Sequence, residues 1–427
     1  FRYLKEKRIG GEINYNQTQQ GSNNVYGQFI NFTQPEFLFK STYKLNNKNN
    51  FILRSAISHH KQESFFGTTE YLGDQIKLYF NFSHKLNWNN HVLTSAVDYR
   101  KLKINETINL NENLNRSFGG AYNKNENIPG VMVENTFNWD NKNIQFISGL
   151  RLDNHNNHGL YLTPRCLFKY NLSENTTIRT SIGKGWRTVN IFSENVKLFG
   201  TNRDIIISND LQPEVALNYG FNLLHAIYLG NIELQFIFDA YKTNFSNQIH
   251  PHYHTESNLI YIHNLTENSK SNSFQSEFAI ELYEKIGAKI AYNYLDVFRI
   301  EHGHKHRLPF TAKHHILSTI SYKPLSKGWH FDCNIHWFGK KKLIDTSENP
   351  APYNRPKWSN PYSTVNLQFT KKIKRLDLYI GAENLLNFKQ ENPIISWEEP
   401  FGEYFNIANV WGPTKGREMY LGLRYSL

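Results

Sequence analysis

The chain has 427 residues, a formal net charge of +11 and an aromatic content of 15%, which allows two or three ordinary domains or one large β structure. No window approaches 18 consecutive apolar residues, so the sequence excludes a transmembrane helix. The basic residues are spread out and accompany no helix-turn-helix, zinc-finger or RNP pattern, so no nucleic acid is expected as a partner.

Period-2 alternation of apolar and polar residues is the dominant signal along the chain and predicts β-strands. In chain order, the alternating stretches cover residues 76–82, 215–223, 232–240, 286–294, 329–337, 365–369, 376–382 and 419–427. In the stretch 329–337, Trp329 and Trp337 stand at the two ends of the apolar face. Aromatic residues at strand ends are typical of the interfacial belts of a membrane barrel.

The segments between these stretches differ in length in a regular way. Residues 224–232 and 321–329 form short links, whereas residues 241–273, 296–315 and 340–362 are long and polar. Short turns at one end and long loops at the other favour a barrel, because a soluble sandwich would show more turn signals. We therefore predict an all-β chain, an antiparallel transmembrane β-barrel of about 16–18 strands, with short periplasmic turns and long extracellular loops.

Five segments carry a family-specific pattern. They are GLRLDNHNNHGLYLTPR (149–165), TTIRTSIGKGWRTVNIFSEN (176–195), LQPEVALNYG (211–220), GAENLLNFKQENPI (381–394) and NVWGPTKGREMYLGLRYSL (409–427). Together they resemble the TonB-dependent outer-membrane receptors, in the form seen in the Bacteroidetes. In that family a strand ends in an arginine-containing corner, and a Leu-Pro-Glu segment opens the next strand. Here the corner is Gly185–Asn190, the opening is Leu211–Glu214, and the last segment is similar to the family's Gly-Arg final hairpin.

The resemblance implies active uptake of a scarce solute across the outer membrane, without enzymatic chemistry. The energy would come from the TonB-ExbB-ExbD complex, which acts through a plug domain. A complete receptor has a plug and about 22 strands, so we expect residues 1–427 to be the barrel without the plug and the first strands. The other expected partners are outer-membrane lipids and a surface lipoprotein.

The resemblance also implies roles for individual residues at the corner. Arg187, Asn190 and Glu214 are expected to face the plug or the lumen and to act structurally. The haem-transporting branch usually carries an aromatic-Arg-Ala-Pro box at this corner. The residues here are Trp186, Arg187, Thr188 and Val189, so the sequence departs from the haem type.

Histidine occurs 18 times and forms two clusters in the predicted long loops. The candidate ligands are His250, His252 and His254 in HPHYH, and His302, His304 and His306 in EHGHKHR. Such His-x-His spacing can bind Zn²⁺, Cu²⁺ or Ni²⁺ through neutral imidazole. We therefore predict a metal ion or metal chelate as the transported solute, with no resident cofactor. The alternative is that these segments are ordinary polar loops of a histidine-rich chain.

No catalytic motif stands out, because G-x-S-x-G, H-E-x-x-H and the glycine-rich phosphate loops are all missing from the sequence. We therefore predict that the protein is not an enzyme. Two other functions stay open at this point. One is a passive porin-like channel, and the other is a surface receptor for a glycan or peptide partnered with a lipoprotein. For the second, the candidate contacts are the loop aromatics Trp397, Phe401, Tyr404 and Phe405.

Overall fold

The computed structural model describes residues 1–110, 116–139, 143–252, 259–283, 285–301, 303–324 and 328–426. Strands dominate this part of the chain, and its helices are single short turns. None of these helices has the length and apolar character needed to cross a bilayer.

The strands are divided here into a first half, residues 2–207, and a second half, residues 214–425. The first half contains β1 (Arg2–Gly11), β2 (Gly27–Lys44), β3 (Asn49–Phe66), β4 (Thr69–Trp88), β5 (His91–Asn109), β6 (Gly120–Trp139), β7 (Ile144–His155), β8 (Gly159–Ser173), β9 (Thr176–Arg187) and β10 (Asp204–Ile207). The second half contains β11 (Glu214–Leu229), β12 (Ile232–Ser246), β13 (Ile249–His252), β14 (Leu259–Asn264), β15 (Ser269–Leu282), β16 (Ile286–Glu301), β17 (His304–Arg307), β18 (His314–Tyr322), β19 (Trp329–Phe338), β20 (Tyr362–Ile373), β21 (Leu376–Glu383) and β22 (Glu418–Tyr425). The helical turns are α1 (Ile191–Glu194) and the 3₁₀ turns Gln17–Gln19, Val196–Gly200 and Ala351–Tyr353.

One antiparallel sheet holds 19 of the described strands, and β10, β13 and β14 form a separate sheet of three. Among the described residues of the large sheet, β17 pairs only with β16, and the other 18 strands follow one another in chain order, each paired with the next. This arrangement confirms the predicted all-β barrel fold and its strand number. In the described residues, β1 pairs with β2 and β22 pairs with β21.

The connections confirm the predicted asymmetry of the two ends. Turns such as 89–90, 174–175 and 230–231 join strands at one end. The long connections at the other end span residues 188–213, 247–268, 302–313, 339–361 and 384–417. The β3–β4 turn at Gly67 is a short exception on the long-loop side, and glycine suits its positive φ of 58°.

The Gly-Arg final hairpin expected from the sequence is not formed as a tight turn, because Gly416 and Arg417 do not make the connection between the last two strands by themselves. The last two strands are joined by the whole segment 384–417, and Gly416–Arg417 lies at its end. The Arg417 backbone N–H donates to Asn387 Oδ1 at 2.9 Å, and its Nε donates to the Leu385 carbonyl at 2.8 Å. Arg417 therefore ties the two ends of a long loop together.

Several strands are much longer than a membrane requires. Strand β4 has 20 residues and at about 3.3 Å per residue extends over roughly 66 Å, whereas the apolar band of an outer-membrane barrel is about 25 Å tall. On this strand Phe80 and Phe82 are exposed, while Asn81 and Ser83, which alternate with them, are buried. The apolar face therefore points outward to lipid, and the strand projects beyond the bilayer.

The most deeply buried apolar residues lie at the long-loop end and not along the wall. Their cluster, which we call the mouth cap, consists of Phe66, Tyr71, Ile108, Phe118, Phe192, Leu198, Phe199, Ile205, Ile260, Ile262 and Ile344. These residues come from the ends of β3, β4 and β5, from the connection between β5 and β6, and from three of the long connections. The main dry core of the described chain is therefore built across the mouth of the barrel.

Candidate functional site

The corner at the end of β9 is fixed by the pairing of its neighbours. Strand β8 pairs with β9 up to Arg165 and Gly183, whereas β11 stays paired with β9 up to Arg187 and Glu214. Arg187 and Glu214 therefore stand directly opposite each other. The Arg187 Nε atom donates to Glu214 Oε2 at 2.7 Å, and its Nη1 atom donates to Glu194 Oε2 at 2.9 Å.

The turn after the corner is held from both sides. The Asn190 backbone N–H donates to Glu194 Oε1 at 2.9 Å, which closes helix α1. The Asn190 Oδ1 atom accepts a hydrogen bond from Lys124 Nζ at 2.9 Å, and Glu214 Oε1 accepts one from the Ile249 N–H at 2.8 Å. The structure thus brings the predicted residues Arg187, Asn190 and Glu214 into one network that joins β6, β9, β11 and β13.

A second network lies on the inner face of the wall beside the corner. We call Asp98, Arg100, Arg151 and Asp153 the lumenal charge network. The Arg151 Nη2 atom lies 2.5 Å from Asp98 Oδ1 and 2.7 Å from Asp153 Oδ1, and Arg100 Nη2 lies 2.8 Å from Asp153 Oδ1. Trp186 donates its indole N–H to Asp153 Oδ2 at 3.0 Å. The corner is therefore coupled to two nearly buried carboxylates.

The sequence pattern missed most of these partners. Residues two apart on a strand share a face, so Asp98 with Arg100 and Arg151 with Asp153 could be paired as strand neighbours. The cross-strand contacts depend on register, which alternation alone does not give. Nothing in the sequence other than their charge indicates that Lys124 and Glu194 belong to this site.

The mouth cap is centred on the 3₁₀ turn Val196–Gly200, which follows helix α1. Leu198 and Phe199 are fully buried there. The Phe199 ring lies 5.3 Å from that of Tyr71, 5.6 Å from those of Phe66 and Phe192, and 6.4 Å from that of Phe118. This turn therefore fills the space that the wall strands enclose at the mouth.

Backbone contacts connect the same turn to the last long connection. Thr201 and Asn406 form an isolated antiparallel bridge. The Ile407 N–H donates to the Gly200 carbonyl at 3.1 Å, and the Asn202 N–H donates to the Phe405 carbonyl at 3.2 Å. The connections 188–213 and 384–417 are thus locked together over the lumen.

The two histidine-rich segments, about 50 residues apart in sequence, meet in the structure. The His252 Nε2 atom lies 3.7 Å from Glu301 Oε2, and the His252 and His263 ring centroids lie 6.0 Å apart. In the β16–β17 hairpin, His306 is opposite Arg299 and His304 is opposite Glu301. We call His252, His263, Glu301 and His306 the histidine cluster.

Not every predicted ligand belongs to this cluster. His250 is paired with His263 across β13 and β14, and His254 and His302 lie outside the described residues. Within the part of the chain that is described, no three His, Cys, Asp or Glu side chains are arranged to hold a metal ion.

Burial shapes the chemistry of the histidine cluster. It lowers the pKa of the His252 imidazole below its ordinary value, and the negative charge of Glu301 partly opposes this effect. Burial likewise lowers the pKa of His306. The neutral form of both side chains is therefore favoured, and the neutral imidazole is the form that binds metals.

The loop aromatics singled out from the sequence have different surroundings. Phe405 is buried, and its ring lies 4.6 Å from that of Tyr26. Phe401 lies 6.0 Å from the same tyrosine, and Tyr404 stacks on Tyr353 at 5.5 Å. Trp397 is 61% exposed, so it is the member of this set with the most free surface.

Comparison with known families decides what kind of barrel this is. Residues 3–385 match the family described as TonB dependent receptor-like, beta-barrel. The chain belongs to this family. It is therefore an outer-membrane β-barrel of a TonB-dependent receptor, and its role is energy-coupled uptake of a solute and not catalysis.

Solved structures of TonB-dependent receptors share the fold at low sequence identity. The FrpB iron transporter from Neisseria meningitidis (F3-3 variant) is 11% identical, with a TM-score of 0.69, over 99% of this chain and 68% of that one. The copper transporter OprC is 12% identical, with a TM-score of 0.67, over 95% and 66%. The siderophore receptor PirA from Acinetobacter baumannii is 12% identical, with a TM-score of 0.63, over 99% and 74%. No curated protein sequence gives a match.

Replacing Arg187 with alanine is expected to release helix α1 of this receptor barrel from the wall. The change removes the contacts to Glu194 and Glu214 but lowers the free energy of unfolding by only about 1 kcal/mol, because the guanidinium is largely exposed. Hydrogen exchange at residues 191–200 should become faster. Arg2→Ala, which breaks the distant pair with Glu36, serves as control. Equal exchange in the two variants would contradict the tethering role.

Proposed function

We propose that this receptor takes up a transition-metal ion in the form of a metal chelate, and that the histidine cluster makes first contact with it. The observation that carries the proposal is the meeting of His252 with Glu301 and His263. Two histidine-rich segments with separate positions in the sequence supply one patch at the mouth. Neutral imidazoles and a carboxylate are common ligands of transition metals.

The charges around the cluster favour a chelate over a bare cation. The Arg299 Nε atom lies 2.8 Å from Glu301 Oε1, and the positive charges of Arg299 and Lys342 both act on His306, whose pKa they help to lower. A bare metal cation would be repelled by these neighbours, whereas an anionic chelate would be attracted. A chelate also brings most of its own ligands, so a full protein cage is not required.

The mouth cap supports gated uptake over a passive channel. Buried aromatic rings from Phe192 and Phe199 fill the long-loop end of the barrel, so free diffusion through it would be obstructed. We infer that the TonB-ExbB-ExbD complex drives opening through a plug domain that residues 1–427 do not include. The unpaired edges of β1 and β22 in the described sheet support further strands that complete the wall.

We also propose outer-membrane lipids as partners of the barrel wall. The exposed apolar faces of strands such as β4 support contact with outer-membrane lipids. A surface lipoprotein partner and membership in the form seen in the Bacteroidetes stay predictions from the sequence motifs.

Metal binding tests the proposed function directly. In the full receptor, alanine at His250, His252, His254, His302, His304 and His306 is expected to weaken binding of the citrate chelates of Zn²⁺, Cu²⁺ or Ni²⁺ by at least about tenfold, or 1.4 kcal/mol. The measurement is isothermal titration calorimetry.

The control for this experiment is His225→Ala. This histidine contacts Thr176 close to the short-turn end of the wall and should leave metal affinity unchanged. If the six-alanine variant binds every one of these chelates as tightly as the unmodified receptor does, the histidine cluster is not the capture site.

A further inference from the structure

A nearly buried carboxylate at the base of the mouth cap has no part in the capture of a chelate. Glu106 is 7% exposed and lies near the long-loop end of β5. Its neighbours Lys103 and Asn105 are exposed on the opposite, outer face of the strand. Because these outward residues are polar, this part of the wall stands above the bilayer, and Glu106 is enclosed by protein and not by lipid.

Contacts from a wall strand and from a loop helix meet at Glu106. The Tyr71 hydroxyl of β4 donates to Glu106 Oε1 at 2.8 Å, and Tyr71 is itself a residue of the mouth cap. The backbone of Ser193 in helix α1 also acts on the carboxylate. Glu106 therefore joins the wall to the helix that precedes the 3₁₀ turn of Phe199.

Lys124 of β6 supplies the positive charge that acts on Glu106, but its own bonds go elsewhere. Its Nζ atom lies 2.9 Å from Glu126 Oε1. It also donates to three oxygen atoms of the corner, which belong to Thr188, Val189 and Asn190. An ammonium group has three N–H donors, so these contacts occupy all of them. The charge of Glu106 is therefore compensated only from a distance.

A cavity brings solvent to this carboxylate. Its volume is about 240 Å³, and Glu106, Lys124, His158 and Asn190 contribute to its lining. One water molecule takes up about 30 Å³ in the liquid, so the cavity has room for several. A proton can therefore reach or leave Glu106 while the mouth cap stays folded.

Burial makes the charged form of Glu106 unfavourable. It raises the pKa of this carboxyl above its ordinary value, and the hydrogen bond from Tyr71 and the charge of Lys124 only partly oppose the effect. The neutral, protonated carboxyl is compatible with the dry core of the cap. The ionised form places a weakly compensated charge beside that core.

We propose that Glu106 is a proton-operated latch of the mouth cap. While Glu106 is protonated, helix α1 and the turn behind it stay packed on the wall. Loss of the proton loosens both. The acidity at the cell surface thereby sets how readily this entrance opens. The latch goes beyond uptake of a metal chelate and uses no residue of the histidine cluster.

The direction of the pH effect follows from proton linkage. An acid whose pKa is raised in the folded state binds more protons there than in the unfolded state. The stability of the cap is therefore greatest in acid and falls as the pH rises above 4.5, the ordinary pKa of this carboxyl.

The other titratable groups around the cavity do not produce this decline. Burial lowers the pKa of His158, so its protonation would weaken the cap in acid, which is the opposite direction. Burial disfavours the charge of Glu126, but hydrogen bonds from Thr188 and Lys124 outweigh it and lower the pKa, so Glu126 stays ionised. Burial raises the pKa of Tyr122, which stays neutral.

Hydrogen exchange of the full receptor tests the latch. Protection factors, which correct for the intrinsic pH dependence of exchange, are measured at residues 191–200 between about pH 5 and about pH 8. In the unmodified receptor they are expected to fall by at least about fivefold as the pH rises. Glu106→Gln keeps the shape of the protonated carboxyl without its charge, so this decline should disappear.

Two further variants separate the latch from a packing role. Tyr71→Phe removes a hydrogen bond that favours the charged carboxylate, so the midpoint of the pH profile should move to higher pH. A packing role alone would lower protection at every pH and leave the midpoint in place. The control is Glu134→Gln, the same change at a wall carboxylate paired with Arg165, which should keep the unmodified profile.

Three outcomes overturn the proposal. The first is protection at residues 191–200 that is constant or increases as the pH rises in the unmodified receptor. The second is a Glu106→Gln variant that keeps the full decline, and the third is an unmoved midpoint in Tyr71→Phe. None of these measurements uses a metal or a chelate, so the latch is tested whether or not the histidine cluster captures one.

Discussion

Replacing Phe199 with alanine is expected to open the mouth cap while the barrel wall stays folded. The Phe199 ring packs between the wall residues Phe66 and Tyr71 and the loop residues Phe118 and Phe192. Truncation of a buried phenylalanine costs about 3–5 kcal/mol. This loss of stability is expected in the mouth cap and not in the wall, because backbone hydrogen bonds between neighbouring strands hold the wall together.

Hydrogen exchange and limited proteolysis measure this effect. Exchange should accelerate at residues 188–213 and 259–264, and proteases should cut the outer loops sooner. Phe80→Ala on the lipid-facing side of β4 is the control, because Phe80 is exposed and remote from the cap. If the cap amides of the Phe199 variant exchange no faster than those of this control, the cap does not depend on that ring.

Replacing Arg151 with alanine is expected to give the largest loss in stability of the wall. The change leaves the buried carboxylates of Asp98 and Asp153 with one remaining cation, Arg100. The Arg100 Nε atom lies 3.9 Å from Asp98 Oδ1, so little of the negative charge of Asp98 is still compensated. Breaking a buried ion pair by removing one partner typically costs about 3–5 kcal/mol.

Urea unfolding of the receptor, followed by tryptophan fluorescence, measures the loss. The matched control is Arg165→Ala on the neighbouring strand, whose ion pair with Glu134 is far more exposed and worth about 0–1 kcal/mol. A second change, Asp98→Asn, in the Arg151→Ala background should restore part of the stability. If Arg151→Ala and Arg165→Ala lower the unfolding free energy equally, the lumenal charge network has no special weight.

Local sequence rules predicted the wall of this protein well, because each wall strand has one face in lipid and the other facing the lumen. Strand β22, for example, repeats an apolar residue at every second position from Met419. Such a period-2 pattern reflects the two environments directly, because successive side chains of a strand point to opposite faces of the sheet. The corner at Arg187 was predicted from motif resemblance, and its partners followed only from the structure.

The mouth cap could not be predicted in the same way. Leu198 and Phe199 sit in a loop where no periodic pattern marks an inner face. The histidine cluster is an intermediate case. Both histidine-rich segments can be recognised in the sequence, but the contact between them depends on the tertiary fold.

The close fit between Gly200 and Ile407 has a consequence for how this receptor can diversify. A Cβ atom at position 200 would overlap the Ile407 side chain, and backbone bonds hold the two segments in that register. Substitutions on one side would therefore be tolerated only with matching changes on the other. We expect residues 200 and 407 to co-vary among relatives of this receptor, whereas the tips of the same two connections should vary independently.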